Sequence, residues 1–162
     1  MEPLEAHTFA PFGDVIEAGG PGRHWPINEG YAERFDDLAR IDTLRQDGRP
    51  VLSVFRVRPR TLPMQLRVIE RHLLGSQSFV PLQAQRFLVV VAAAGPAPAT
   101  RALRCFMARP GQGVNYAAGT WHHPLIALEA GGDFLVIDRG GPEASRDCEE
   151  QSLLDADVWV GE

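Results

Sequence analysis

Along much of this chain apolar and polar positions alternate with the two-residue period of a half-buried strand. Val51 to Val57 is the clearest stretch: Val51, Ser53, Phe55 and Val57 share one side, and Leu52, Val54 and Arg56 the other. Gln65 to His72, Ser76 to Val80, Phe87 to Val91, Leu103 to Met107, Leu125 to Leu128 and Phe134 to Ile137 are further short β runs, parted by turns bearing Gly or Pro. That cadence predicts a β-sandwich or barrel. A Pro-Phe-Gly turn followed by Asp14 to Glu17 predicts one more short strand, and residues 19–30, rich in Gly, Pro and Asn, predict a loop. Tyr31, Phe35 and Leu38 fall at helical spacing, which predicts a short helix over 31–38. Ile41 to Leu44 reads as an edge strand and residues 95–99 as a hairpin loop. The sum is one domain over residues 1–162. Its acidic end, 141–162, is expected to pack as an arm through Leu153, Leu154 and Trp159.

Two segments break the apolar texture. Ile69 to Pro81 carries Glu70, His72 and Gln77, and Gly111 to Leu125 carries Asn115, Tyr116, His122 and His123. Together they hold three of the five histidines, each segment bounded by apolar strand-like runs. Strand parity puts Glu70 and His72 on one face, and Gln77 and Phe79 on one face of the next run. His122 and its neighbour His123 must point to opposite sides. A face bearing carboxylate, imidazole and amide beside apolar runs directs polar groups into an enclosed space, the mark of a site. His7 and His24 read as exposed loop residues, and Arg71, opposite in parity to Glu70 and His72, is expected to meet solvent or a partner. Arg56, Arg58 and Arg60 read as a solvated edge.

Composition narrows the chemistry. A chain of 162 residues buries roughly two-thirds of its unfolded surface. A net charge of -5 argues against a nucleic-acid binder. No apolar run approaches the roughly 20 residues that span a bilayer, and residues 1–5 have neither a basic nor an apolar leader region, so a cytoplasmic location is expected. Cys105 and Cys148 lie in unlike surroundings and are expected to be free thiols. All 16 basic residues are arginine. Schiff-base chemistry and a lysine-tethered pyridoxal group are therefore excluded, and no organic cofactor is expected.

The two polar segments resemble the paired motifs of the cupin superfamily. Glu70-x-His72 with Gln77 stands at the first motif and Ala117-x-Gly119-x-x-His122 at the second. Glutamate replaces the first histidine of the family pattern, glutamine its glutamate and alanine its proline. The implied fold is mainly β, a cupin-like double-stranded β-helix or jelly-roll barrel with a few short helices. The implied metal ligands are Glu70, His72, Gln77 and His122, a weaker set than three histidines.

A closer resemblance rests on longer strings. Glu70-Arg71-His72-x-x-Gly75-x-Gln77-x-Phe79-x-Pro81, Gly113-Val114-Asn115-Tyr116, Trp121-His122-His123-Pro124-Leu125 and residues 133–141 together look like the bacterial ureidoglycolate lyases, over about residues 12–141. That resemblance implies a homodimeric enzyme of allantoin and purine catabolism that splits (S)-ureidoglycolate into glyoxylate and urea, with nickel as the associated metal. Such a reaction needs general base and acid work on a carbinolamide, for which Glu70, His72 and His122 are the candidates, either as that pair or as metal ligands. Gln77, Arg56, Arg104 and Tyr116 are the candidates for holding the substrate, an arginine fork for its carboxylate above all. Two other readings stay open at this stage: an amidohydrolase releasing ammonia, and a non-catalytic cupin that binds a small carboxylic acid.

Overall fold

The alternating stretches become strands in the computed structural model, which describes residues 1–20, 22–142 and 147–161. In chain order they are β1 (Glu2–Pro3), α1 (Ala6–Phe9), β2 (Gly13–Glu17), β3 (Arg23–Ile27), β4 (Ala32–Asp36), β5 (Arg49–Val57), β6 (Met64–Gln65) and β7 (Val68–His72). There follow β8 (Gln77–Pro81), β9 (Phe87–Ala92), β10 (Arg104–Ala108), β11 (Gln112–Tyr116), β12 (Trp121–His122) and β13 (Ile126–Ala127). The last are β14 (Gly132–Gly140), β15 (Cys148–Ser152) and β16 (Trp159–Val160). One sheet runs β1-β10-β9-β12-β7-β15, with β13 also on β9, and a second runs β2-β11-β8-β14-β5. The fold is mainly β and built on two principal sheets, as the alternation in the sequence predicts.

Strand β9 shows how the sheets are held. Phe87, Val89 and Val91 point to one side, into a core shared with Phe79, Phe106, Val114, Phe134 and Val136 from strands of both sheets. Leu88, Val90 and Ala92 point to the other, into a second core with Leu66, Ile69, Trp121, Ile126, Leu153 and Val160. A strand covered on both faces needs an unbroken apolar run, which is what Phe87 to Ala92 supplies. Phe87 and Phe134 meet edge to face across the first core at 5.3 Å, and each such side chain, fully buried, stabilises by roughly 1.5–3 kcal/mol.

Three expectations are corrected. Residues 31–38 do not form a helix, and residues 19–30 are not loop throughout: β3 and β4 make an antiparallel hairpin. Its side chains pack on one another instead of on a core, His24 stacked on Phe35 at 5.5 Å and Arg34 over the Trp25 ring at 5.5 Å. Ile41 to Leu44 is irregular chain, not an edge strand. The C-terminal segment packs through Leu153, and its strand β15 pairs antiparallel with β7 at the edge of the larger sheet. Leu153 and Val160 anchor it, while Leu154 and Trp159 are exposed. Of the expected arm, residues 143–146 and Glu162 lie outside the described residues, as does Pro21 of the expected loop.

Candidate active site

Strand pairing builds the site from four segments. In the larger sheet His122 of β12 lies opposite Glu70 of β7, and His72 follows two residues on, facing the same way. In the smaller sheet Gln77 of β8 lies opposite Tyr116 of β11. The turn between β11 and β12 sets His122 in place. Gly119 adopts φ +84°, a left-handed conformation that a side chain would strain, and its N–H donates to the His72 carbonyl at 2.6 Å.

The side chains converge. His122 Nε2 is 3.5 Å from Glu70 Oε1, the His72 and His122 rings are 5.5 Å apart, and one donor atom from each of Glu70, His72 and His122 lies within 4.8 Å of the others. Tyr116 stacks on His122, centroids 4.4 Å apart at 21°. His122 Nδ1 lies 3.0 Å from the Thr120 carbonyl. A carbonyl only accepts, so the contact assigns a proton to Nδ1 and turns Nε2 toward Glu70.

Three atoms of the group have no partner. His72 Nε2, His122 Nε2 and Gln77 Oε1 are buried without a hydrogen bond, and among the described residues the two ends of the Gln85 amide, packed against Gly132, are the remaining cases. Leaving a buried polar atom unpaired costs about 1–3 kcal/mol. His72 and His122 meet the Glu70 carboxylate in a donor set that fits a borderline divalent cation. The same atoms can instead take protons from a bound molecule.

The electrostatics separate the groups. Contact with His122 holds the Glu70 carboxyl below its ordinary range, against the opposing effect of burial. Burial, helped by the neighbouring His122, holds His72 below the usual imidazole value and so favours its neutral form. Burial pushes the Tyr116 phenol far up, which keeps it protonated. Two residues at the site escaped the sequence reading. Asp138 of β14 sits against Gln77 and near His72, its carboxyl raised by burial. Cys148 of β15 places Sγ 3.9 Å from Glu70 Oε2, and burial raises its thiol to about 11.

Glu70 and Gln77 form the floor of a cleft of about 720 Å³ walled by residues 55–60, Phe79, Pro124 and Leu125. Of the arginines expected to hold substrate, Arg56 borders this cleft, but its guanidinium is paired with the Asp133 carboxylate at 2.8 and 2.9 Å. Arg104 is not brought to the cluster, because the Glu2 carboxylate and the Thr8 carbonyl take its donors. Arg71 does not face solvent. It lies over the Trp121 ring at 4.5 Å and bonds Glu149 and the Gly95 carbonyl. Arg58 and Arg60 are exposed, as expected, and both border the cleft. His123 turns away from His122, as parity requires. It donates from Nδ1 to the Pro124 carbonyl at 2.6 Å and lines a separate cavity of about 670 Å³ with Arg60, Arg67 and Trp159.

Comparison with known proteins matches the chain to a family. A family model described as ureidoglycolate lyase matches residues 1–160. A ureidoglycolate lyase of Burkholderia mallei (strain NCTC 10229) is 51% identical over 160 residues, 99% of this chain and 91% of that protein. One from Burkholderia cepacia is 53% identical over 154 residues, 94% of this chain and 85% of its own. Among solved structures, a 3,4-ketoisomerase from Helicobacter canadensis aligns with a TM-score of 0.45 and 12% identity over 85% of this chain and 89% of its own, too distant to bear on function.

Proposed function

Since the chain belongs to the ureidoglycolate lyase family, we propose that it cleaves (S)-ureidoglycolate to glyoxylate and urea in the cleft above Glu70, His72, Gln77 and His122. The observation that carries this reading is the convergence of His72 and His122, whose buried Nε2 atoms have no hydrogen bond, on the Glu70 carboxylate.

Ureidoglycolate is a carbinolamide, so its hydroxyl oxygen and its urea nitrogen are bonded to the same carbon. Cleavage removes the hydroxyl proton, forms the carbonyl of glyoxylate and sends the C–N electron pair onto the urea nitrogen, which takes a proton. No water is consumed. Neutral His72 is the base: its bare Nε2 takes the hydroxyl proton, and the imidazolium so formed returns it to the departing nitrogen one bond further along. Ionised Glu70 favours that transient cation. His122, fixed by Thr120 and stacked on Tyr116, positions the hydroxyl. Arg58 and Arg60, which wall the cleft, receive the substrate carboxylate, a task for which Arg56 is already engaged. A divalent ion, nickel by the family resemblance, would be held by Glu70, His72, His122 and the Gln77 carbonyl oxygen and would supply Lewis-acid polarisation of the substrate oxygens.

Allantoin and purine catabolism is the setting in which this substrate arises, and a cytoplasmic homodimer is the proposed form of the enzyme. No helix among the described residues is long and apolar enough to cross a membrane. The test is purified protein with racemic ureidoglycolate, with and without a chelator, reading glyoxylate, urea and ammonia. The expected result is glyoxylate and urea in equal amounts from one enantiomer. Ammonia as the nitrogen product would indicate an amidohydrolase, and binding without turnover a sensor. Activity that survives chelation assigns the chemistry to the side chains, and activity lost and restored by nickel assigns the four donors to the ion.

A further inference from the structure

We infer that the cavity bordered by Arg60, Arg67, His123 and Trp159 is a second binding site, built for a small carboxylate that carries an N–H group. The two guanidinium groups take the carboxylate, and His123 Nε2 accepts the N–H. Neither His123 nor Arg67 has a part in the proposed reaction.

Strand pairing assembles this space beside the cleft. β16 lies antiparallel on β6 with Trp159 opposite Gln65, which brings the indole to a wall completed by Arg67 and Val68. Arg60 and Pro124 border both the cavity and the catalytic cleft, so the two spaces share a wall. A volume of about 670 Å³ is in the range of sites that hold small molecules.

His123 is the group that marks the cavity as a site. It is 7% exposed and held on two sides, its Nδ1 donating to the Pro124 carbonyl at 2.6 Å and its backbone N–H to the Val90 carbonyl at 2.9 Å. The other ring nitrogen, Nε2, bonds to none of the described residues and is not sealed from solvent, so it opens onto the cavity. With the proton on Nδ1, Nε2 of the neutral ring is an acceptor and calls for a donor on the occupant.

The lining is cationic in a protein whose net charge is -5, and no carboxylate of the described residues lines it. Arg56, Arg71, Arg86, Arg104 and Arg109 each meet a carboxylate, whereas among the described residues Arg60 and Arg67 meet none. The Asp157 carboxylate accepts from the Trp159 indole at 2.8 Å and from the Gln65 amide at 3.4 Å, and so takes up those two donors. What remains for an occupant is the flat indole face, the His123 acceptor and the two arginines. A guanidinium fork is the preferred partner of a carboxylate.

Arg60 is also one of the two groups proposed to receive the substrate carboxylate in the cleft. An occupant of the cavity draws on the same guanidinium, so it weakens substrate binding and leaves the bond-breaking groups untouched. That consequence rests on the proposed function; the site itself does not.

The test titrates N-carbamoylglycine, a ureido acid with no hydroxyl to lose, into wild type and Arg67→Ala carrying 15N in the tryptophan indoles. The Trp159 signal, identified by its loss in Trp159→Phe, should move as wild type binds. Arg67 is exposed and outside the cleft, so Arg67→Ala should keep kcat and KM. It should bind about 10-fold more weakly at this site, the worth of a hydrogen bond to a charged group. Butyrate, a carboxylate without an N–H, and N-carbamoylglycinamide, which has N–H groups but no carboxylate, should each bind about 10-fold more weakly than N-carbamoylglycine. In turnover assays N-carbamoylglycine should raise the KM of wild type with kcat unchanged, and inhibit Arg67→Ala about 10-fold more weakly.

A Trp159 signal that stays still at saturation overturns the site, as does equal affinity of wild type and Arg67→Ala. Butyrate bound as tightly as N-carbamoylglycine overturns the part assigned to His123. Equal inhibition of the two proteins places the compound in the cleft alone and overturns the coupling through Arg60. If wild type does not cleave ureidoglycolate, the proposed function fails instead, and the titration still decides the cavity.

Discussion

Two groups of buried polar side chains sit one residue apart on the same pair of strands and meet opposite fates. Ser78 and Asn115, opposite each other on β8 and β11, belong to a closed network. Ser78 donates to Asn115 Oδ1 at 2.7 Å, and Asn115 Nδ2 donates to Asp14 at 3.0 Å and to the Arg40 carbonyl at 3.1 Å. One position along, Gln77 and Tyr116 face the other way, toward His72 and His122, and there the acceptors are left bare. Both groups are removed from water, so solvent does not explain the difference. A satisfied network specifies the fold, and unsatisfied atoms collected in one place are capacity reserved for something that binds.

That contrast can be broken by mutation. His72→Ala and His122→Ala should each lower turnover of ureidoglycolate at least about 100-fold, the low end of what a general acid or base contributes. The melting temperature of the His72 variant should move less than that of the Asn115 variant, because His72 Nε2 has no partner to lose, whereas the His122 variant also gives up the Thr120 contact and the Tyr116 stack. Full activity in either variant would take that histidine out of the site. Asn115→Ala should behave in the reverse manner. Stripping Ser78 and Asp14 of their partner should cost about 1–3 kcal/mol, read in denaturant or thermal unfolding at roughly 2–4 °C per kcal/mol for a domain of this size. Its kcat should stay close to that of wild type.

The smallest expected effect is a pH dependence at the far end of β11. Gln112 is buried and fully engaged, donating to Leu4 and Glu17 and accepting from the Arg109 N–H. Burial pushes the Glu17 carboxyl up, but the Gln112 amide and the Arg109 guanidinium outweigh it and leave it below the ordinary 4.5. As pH falls the unfolded chain therefore takes up this proton first. The stabilisation is fully present above pH 4.5 and disappears as pH drops through the lower folded value. Glu17→Gln should be less stable than wild type at neutral pH, with the two curves converging in acid. A gap that persists at low pH would contradict the assignment.

Much of the fold was legible because one face of most strands is core and the other is not. The alternation at Val51 to Val57 and the unbroken run at Phe87 to Val91 announced a half-covered strand and a doubly covered one. Glu70, His72, Gln77 and His122 were legible for a related reason, since polar groups beside apolar runs on a predicted strand have few places to go. The β3–β4 hairpin was misread because its packing is local. Tyr31 is 91% exposed and Phe35 meets His24, so the helical spacing of Tyr31, Phe35 and Leu38 reflects no shared face. Asp138 was passed over because the predicted strand stopped at Ile137, yet its parity with Phe134 and Val136 already pointed it inward. Cys148 had no such signal. Its place at Glu70 depends on β15 pairing with β7, a contact between segments more than 70 residues apart. Arg56 and Arg104 show the converse limit, because the sequence supplied plausible cations and the structure supplied nearer carboxylates, Asp133 and Glu2.

The central claim is that the bare atoms, and not the satisfied ones, are where the substrate acts. It is tested most directly by titrating glyoxylate, a product, into protein carrying 15N in its histidine rings and asparagine amides. The Nε2 signals of His72 and His122 should move in step with binding, while those of His7 and His24 and the Asn115 amide stay in place. Glyoxylate that binds while the His72 and His122 signals remain still would place the chemistry elsewhere on the molecule.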